Sequence, residues 1–358
     1  MSRICRRTSQ TCDGLGKLAF RAESAPVALA DQCVDGLFSN VYAQFDGLIP
    51  VMADVSGTDG LKALKTRIEA KAKEPRPSPL KNEARVVLGW STKGVIYEDA
   101  FAARRNDWVI SSTLKDIADA LGDIDAYMAQ YDAEQRKAPR IAVDIARRLL
   151  DGGRANDAMA LLESADTKRG AYGSQDWEGV YLQSLDAVGR AEDAQALRWE
   201  AFEKRLDGAL LKAYLANLPD FEDVEAEERA ITHARGFSDP YQALHFLVHW
   251  PVLETAADLV LGRPQDIDGD AYYVLAPAAE KLAGKYPLAA TLLLRAMIDF
   301  MLKEGRSKRY KHAARHLLEC ESLAGQIADY GAHKPNRDYL ADVRDKHSRK
   351  RGFWSQVG

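Results

Sequence analysis

Apolar residues recur at helical spacing through most of this chain. Leu61, Leu64 and Ile68 share one face near the start, Ile141, Ile145 and Leu149 another, and Trp177, Tyr181 and Leu185 a third. Intervals of three and four place these residues on single stripes of amphipathic helices, and alternating runs of the kind that make half-buried strands are scarce. Two stretches nearly repeat each other. Gly153-Arg-Ala-Asn-Asp-Ala-Met-Ala-Leu-Leu-Glu-Ser-Ala165 returns as Gly189-Arg-Ala-Glu-Asp-Ala-Gln-Ala-Leu-Arg-Trp-Glu-Ala201. The offset is close to the period of tetratricopeptide-like helix pairs. Each copy follows an apolar helix, so Gly153 and Gly189 are expected to take the left-handed conformation that ends it. Ala158, Leu161 and Ala165, matched by Ala194, Leu197 and Ala201, then form the inner face of the returning helix. A weaker third copy runs from Gly284 through Ala289 and Leu292 to Ala296. The expected fold is all-α, an α-solenoid of stacked antiparallel helix pairs, tetratricopeptide-like and partly irregular.

Four regions follow from this pattern. Residues 1–30 are expected to be a polar, poorly ordered arm. Residues 31–73 form an N-terminal helical section, and residues 74–83 a joint, because Pro75, Pro77 and Pro79 cannot continue a helix. Residues 84–358 carry the solenoid and a basic, aromatic end. Within them a helix is preferred over Arg85-Val-Val-Leu-Gly-Trp90, with a short strand as the alternative. Gly122 closes one helix, and Asp123 caps the next.

Composition narrows the function classes. Charged residues make up 28% of 358, with a formal net charge of -4, so no global basic field favours nucleic acid. No apolar run spans a bilayer, and the basic first residues lack the apolar segment of a secretory signal. Cys5, Cys12, Cys33 and Cys320 are sparse and irregular, which suits a reducing cytoplasm better than a disulfide framework.

Three segments, Ala118-Asp-Ala-Leu-Gly-Asp-Ile-Asp-Ala-Tyr127, Tyr310-Lys-His-Ala-Ala-Arg-His-Leu-Leu318 and Gly352-Phe-Trp354, resemble an uncharacterised bacterial family of helical-repeat proteins. Some proteins similar to it carry an N-terminal SWIM-type zinc finger. This chain has neither the Cys-x-Cys pair nor the Cys-x-His pair of that finger, so the resemblance implies the helical scaffold alone and no known reaction.

Candidate chemistry is limited. His245 and His249, and again His312 and His316, stand one helical turn apart, with Cys320 a further turn on; such spacing can hold a transition metal. Neither pair encloses the Glu of a zincin motif, and the plain alternative is ordinary amphipathic helix surface. Asp266-Ile-Asp-Gly-Asp270 lacks the Gly and Glu positions of a calcium loop and reads as a turn. The acidic run Asp220–Glu228 fits the start of a helix. No phosphate-binding glycine loop is present. At the C-terminus Arg344, Lys346, Arg349, Lys350 and Arg351 lead into Phe353 and Trp354, a set that could meet phosphates and stack a base or else cap the last helix. The leading expectation is a non-catalytic cytoplasmic scaffold holding a protein or peptide partner in a concave groove, with no cofactor and no membrane contact. A nucleic-acid-associated protein using the C-terminal set comes next, and a metal protein or enzyme built on the His pairs third.

Overall fold

The structure, a computed structural model, describes residues 26–39, 47–75, 85–92, 94–166 and 174–357. The arm predicted at 1–30 lies outside them up to residue 25, as do residues 76–83 of the predicted Pro-rich joint. The described residues are mostly helical. The chain divides into two compact units, residues 1–189 and 190–358.

In the first unit, α1 (Pro26–Ser39) packs on α2 (Leu48–Lys73), and α2 on α3 (Glu98–Leu121). Ala30, Val34, Ile49, Leu64, Ile68 and Ile117 form the common core. Helix α1 thus begins inside the stretch expected to be an arm. Between α2 and α3 the structure departs from the preferred helix: β1 (Val87–Ser91) pairs antiparallel with β2 (Gly94–Tyr97). The reason is local. Val86 and Val87 favour extended backbone, Gly89 weakens a helix, and the partner strand follows immediately. The hairpin is open to solvent, with Val87, Leu88 and Trp90 exposed, Trp90 by 78%.

Gly122 ends α3 as predicted, and the Asp123 carboxylate accepts from Ala126 N at 2.9 Å to cap α4 (Ile124–Met128). A single helical turn, α5 (Ala133–Arg136), precedes α6 (Pro139–Asp151), α7 (Ala155–Glu163) and α8 (Ser174–Ala187), which pack on one another. Here the repeat is visible in the backbone. Gly153 and Gly189 have φ of 72° and 77°, a region costly for residues with a Cβ. The arginine after each glycine donates Nε to the aspartate three residues on, Arg154 to Asp157 at 2.7 Å and Arg190 to Asp193 at 2.6 Å. Ala158 and Ala194 are both fully buried. The large apolar member of the first copy differs from expectation: Leu162 is buried and Leu161 only half-buried. Arg198 holds the equivalent position in the second copy, also buried, with Nη1 donating to Gln195 at 3.0 Å.

The second unit contains α9 (Ala191–Arg205), α10 (Gly208–Leu215), α11 (Glu222–Arg235), α12 (Pro240–His249), α13 (Leu253–Gly262), α14 (Tyr272–Leu282), α15 (Pro287–Lys303), α16 (Tyr310–Ala324), α17 (Asn336–His347) and α18 (Arg351–Val357). From α9 to α16 each helix packs on the next, and several also on the next but one. Pro240 and Pro287 stand in first turns, where the missing N–H costs no helical bond. Helix α15 is apolar nearly all round, so it is enclosed by its neighbours, with Leu293, Leu294, Met297, Ile298 and Leu302 in the core. The loop before α14 presses on this helix at Gly269. A Cβ there would come 2.0 Å from the Ala296 carbonyl oxygen, so only glycine permits the contact.

Candidate functional site

Charged residues interrupt the apolar surface of α15 at one spacing. Arg295, Asp299 and Lys303 follow at intervals of four, which aligns them on one stripe. On α17 Tyr339, Val343 and His347 share a face, with Asp342 and Lys346 beside them. A hollow of about 900 Å³ lies between these two faces and the Pro264–Gly269 loop.

Arg295 is the buried charge of the hollow, 5% exposed. Its Nη1 donates to the Lys334 carbonyl at 2.6 Å and its Nη2 to Asn336 Oδ1 at 3.1 Å, while the guanidinium carbon sits 4.4 Å from the Tyr339 ring centre. Among the described residues its Nε has no hydrogen-bond partner. A buried cation normally demands a carboxylate, because desolvation disfavours its charge; here both bonded partners are neutral. The Tyr339 hydroxyl instead donates to Asp299 Oδ1 at 2.8 Å. Desolvation raises the Asp299 carboxyl above its ordinary range, partly offset by the Tyr339 bond and by Lys346, His347 and Arg295. The Tyr339 hydroxyl is raised well above its own value, first by burial and then by the Asp299 charge. Burial also lowers the His347 imidazole, with Lys350 and Lys346 adding to it and Asp299 opposing. Lys334 pairs with Asp342. Lys303 and Lys346 line the same hollow, and among the described residues neither has an ion-pair partner. The apolar share of the wall comes from Ile267, Leu292, Phe300 and Val343.

The histidines singled out by spacing stand elsewhere. His245 and His249 are exposed and stacked, ring centres 4.1 Å apart, and His249 Nδ1 lies 2.7 Å from the His245 carbonyl oxygen, so this imidazole engages its own helix. Desolvation, then His249 and Lys281, lowers the His245 imidazole. His312 is exposed, whereas His316 and Cys320 are buried; the expected ligand stripe is split between solvent and interior. His316 Nδ1 stands 3.1 Å from Glu319 Oε2, beside a second hollow of about 560 Å³ that Glu280, Arg315 and Ser322 also line. Burial pushes the Cys320 thiol up to about 12, far from a thiolate nucleophile or ligand. Among the described residues no three His, Cys, Asp or Glu side chains gather as a metal-binding group.

The C-terminal set is spread over several tasks. Phe353 is fully buried and meets Tyr310 edge-on at 6.1 Å. Trp354 Nε1 donates to the His347 carbonyl at 2.9 Å, and Arg344 lies over the Trp354 ring at 5.6 Å. Lys350 Nζ is 3.5 Å from the Tyr310 hydroxyl. Lys346 faces the hollow, while Arg349 and Arg351 are exposed. The Asp266–Asp270 segment is a turn held by Arg263 Nε on Asp266 at 2.9 Å and by Asp270 N on Asp268 Oδ1 at 3.0 Å. The acidic run opens α11, with Glu222, Asp223 and Glu225 in its first turn.

Sequence reasoning reached Lys346 and missed Arg295, Asp299, Lys303 and Tyr339. The available signal was a charge repeated every four residues inside an otherwise apolar helix, since such a charge needs a buried partner or a polar cavity.

These features define a mostly helical protein with a ligand-sized polar hollow in its second unit. The chain belongs to a family of unknown function, DUF6880, which matches residues 1–356. Neither a curated protein nor a solved structure matches it. No helix among the described residues is long and apolar enough to cross a membrane.

Proposed function

We propose that the protein is a non-catalytic helical-repeat scaffold, and that the hollow between α15 and α17 receives a segment of a partner protein. The observation that carries this reading is the hollow itself. At about 900 Å³ it falls in the upper part of the size range of ligand sites, and its wall mixes apolar patches from Ile267, Leu292, Phe300 and Val343 with charged side chains. Such a surface suits several consecutive side chains, whereas a catalytic pocket converges on one reacting bond. Lys303 and Lys346, without carboxylate partners among the described residues, favour an acidic segment. The tetratricopeptide-like solenoid belongs to the same reading, supported by the matched left-handed glycines and Arg–Asp contacts of the two repeat copies, because stacked helix pairs present extended binding surfaces.

The test is fluorescence anisotropy with a fixed panel of labelled twelve-residue peptides that are acidic, neutral or basic. Acidic members are expected to bind at micromolar concentrations. Leu292→Trp, which fills the wall of the hollow, should abolish binding while the circular dichroism spectrum is kept. Failure of every peptide to bind, or equal binding by Leu292→Trp, refutes the reading.

A further inference from the structure

The charges around the hollow are unequally occupied. Of its carboxylates, Asp342 is taken by Lys334, Asp299 accepts the Tyr339 hydroxyl and Asp268 accepts a main-chain N–H, while the exposed Glu304, next to Lys303 at the end of α15, has no bonded partner among the described residues. Three cations on the same walls, Arg295, Lys303 and Lys346, have no carboxylate bonded to them among the described residues. Arg295 is held in place by neutral acceptors and by the Tyr339 ring, and among the same residues its buried Nε is unpartnered. A guanidinium fixed in this way supplies a positive potential in a poorly solvated place, where charge acts more strongly than at an exposed surface.

We propose that the hollow is an oxyanion seat in which Arg295, Lys303 and Lys346 hold a phosphate group. Placing that group on the segment entering the hollow rests on the peptide reading above; the seat itself does not require it. The choice of phosphate over carboxylate follows from how the donors are arranged. A carboxylate is recognised best by the two parallel N–H groups of a guanidinium, and both Arg295 Nη atoms are already engaged with Lys334 and Asn336. What remains free is a pair of ammonium groups, one from the last turn of each helix. Ammonium groups are compact charges with rotatable donors that adapt to tetrahedral oxygens. Two of them beside a buried guanidinium match the charge of about -1.5 to -2 on a phosphate ester at neutral pH.

The experiment uses the full chain and two probes. Inorganic phosphate is titrated by isothermal calorimetry into wild type, Lys303→Gln, Lys346→Gln and the double variant. Both lysines are exposed, so these variants should fold, and a melting curve of each verifies it. The second probe is a phosphoserine peptide of twelve residues, compared with its Ser and Glu counterparts. Phosphate is expected to bind wild type in the millimolar range, with a loss of roughly tenfold or more in the double variant. The phosphoserine peptide should bind at least about tenfold more tightly than the Ser form, with the Glu form closer to Ser. Phosphate binding without peptide binding supports the seat and removes the peptide reading. Peptide binding that is indifferent to the phosphate group, with no binding of inorganic phosphate, keeps the peptide reading and overturns the seat. Phosphate affinity unchanged in the double variant also overturns it.

Discussion

Replacing Gly269 by alanine adds one methyl group at the point where the loop before α14 meets α15, and the structure sets the consequence. The new carbon would stand 2.0 Å from the Ala296 carbonyl oxygen, 2.5 Å from its carbonyl carbon and 2.7 Å from Phe300 Cβ. Ordinary contacts are about 3.5–4.0 Å, so the two surfaces must separate by about 1.5 Å. The helix side cannot give easily, because the carbonyl belongs to the main chain of α15, whose neighbouring residues Met297 and Ile298 are fully buried. The loop must lift instead, and it is tied by Arg263 Nη1 to the Phe237 carbonyl at 3.1 Å and by the Tyr241 hydroxyl to the Asp266 carbonyl at 3.3 Å. Overpacking costs about 1–3 kcal/mol; main chain on the obstructing side puts this case toward the upper end, equivalent to a fall in Tm of roughly 5–10 °C. The same chemical change at Gly262, the last residue of α13, meets nothing within 4 Å and should stabilise by about 0.4–1 kcal/mol by narrowing the unfolded ensemble. Urea denaturation followed by circular dichroism measures both, provided the m-values agree. Gly269→Ala with a midpoint equal to wild type would show that the loop does not press on the helix as described.

Two further expectations concern the repeat and the hollow. Ala158→Phe and Ala194→Phe each force a ring into a fully buried position and should cost about 1–3 kcal/mol in chemical denaturation; unchanged midpoints would show that the two faces are open. Tyr339→Phe removes the hydroxyl that lowers the Asp299 carboxyl against desolvation, so that carboxyl should titrate at still higher pH in a side-chain NMR titration, and a downward move would contradict the assignment of causes.

The helical character was legible because amphipathic spacing is local, and so were the turns, since Gly153 and Gly189 follow from where the apolar stripes stop. Burial within the repeat was legible only in part. Ala158 and Ala194 are inside as expected, but the deeper position is Leu162, because which side of a helix is covered depends on its neighbours. The hairpin was missed when strand-favouring Val86 and Val87 were weighed against a helical surrounding; pairing with Gly94–Tyr97 decided the matter. The histidine pairs attracted attention through spacing on one helix, yet ligation requires convergence between helices, which spacing does not encode. The hollow was invisible for a related reason. Arg295 meets Lys334 and Asn336 some forty positions away, and that meeting is made by the packing of α15, α16 and α17.

Helix α15 has two sides with different duties, and their union has a thermodynamic consequence. Ten of its residues are buried, Arg295 among them, so the wall of the hollow cannot loosen without disturbing the hydrophobic interior of the second unit. Any molecule resting against Arg295 and Lys303 would therefore be linked to the folding equilibrium of that interior. At a concentration one hundred times its dissociation constant, it would add about 2.7 kcal/mol to the stability of the folded state. Amides along α15 that exchange only when the interior opens would then slow by about a hundredfold, although the ligand itself touches only a few side chains. Occupancy of the hollow can in this way be read from the core.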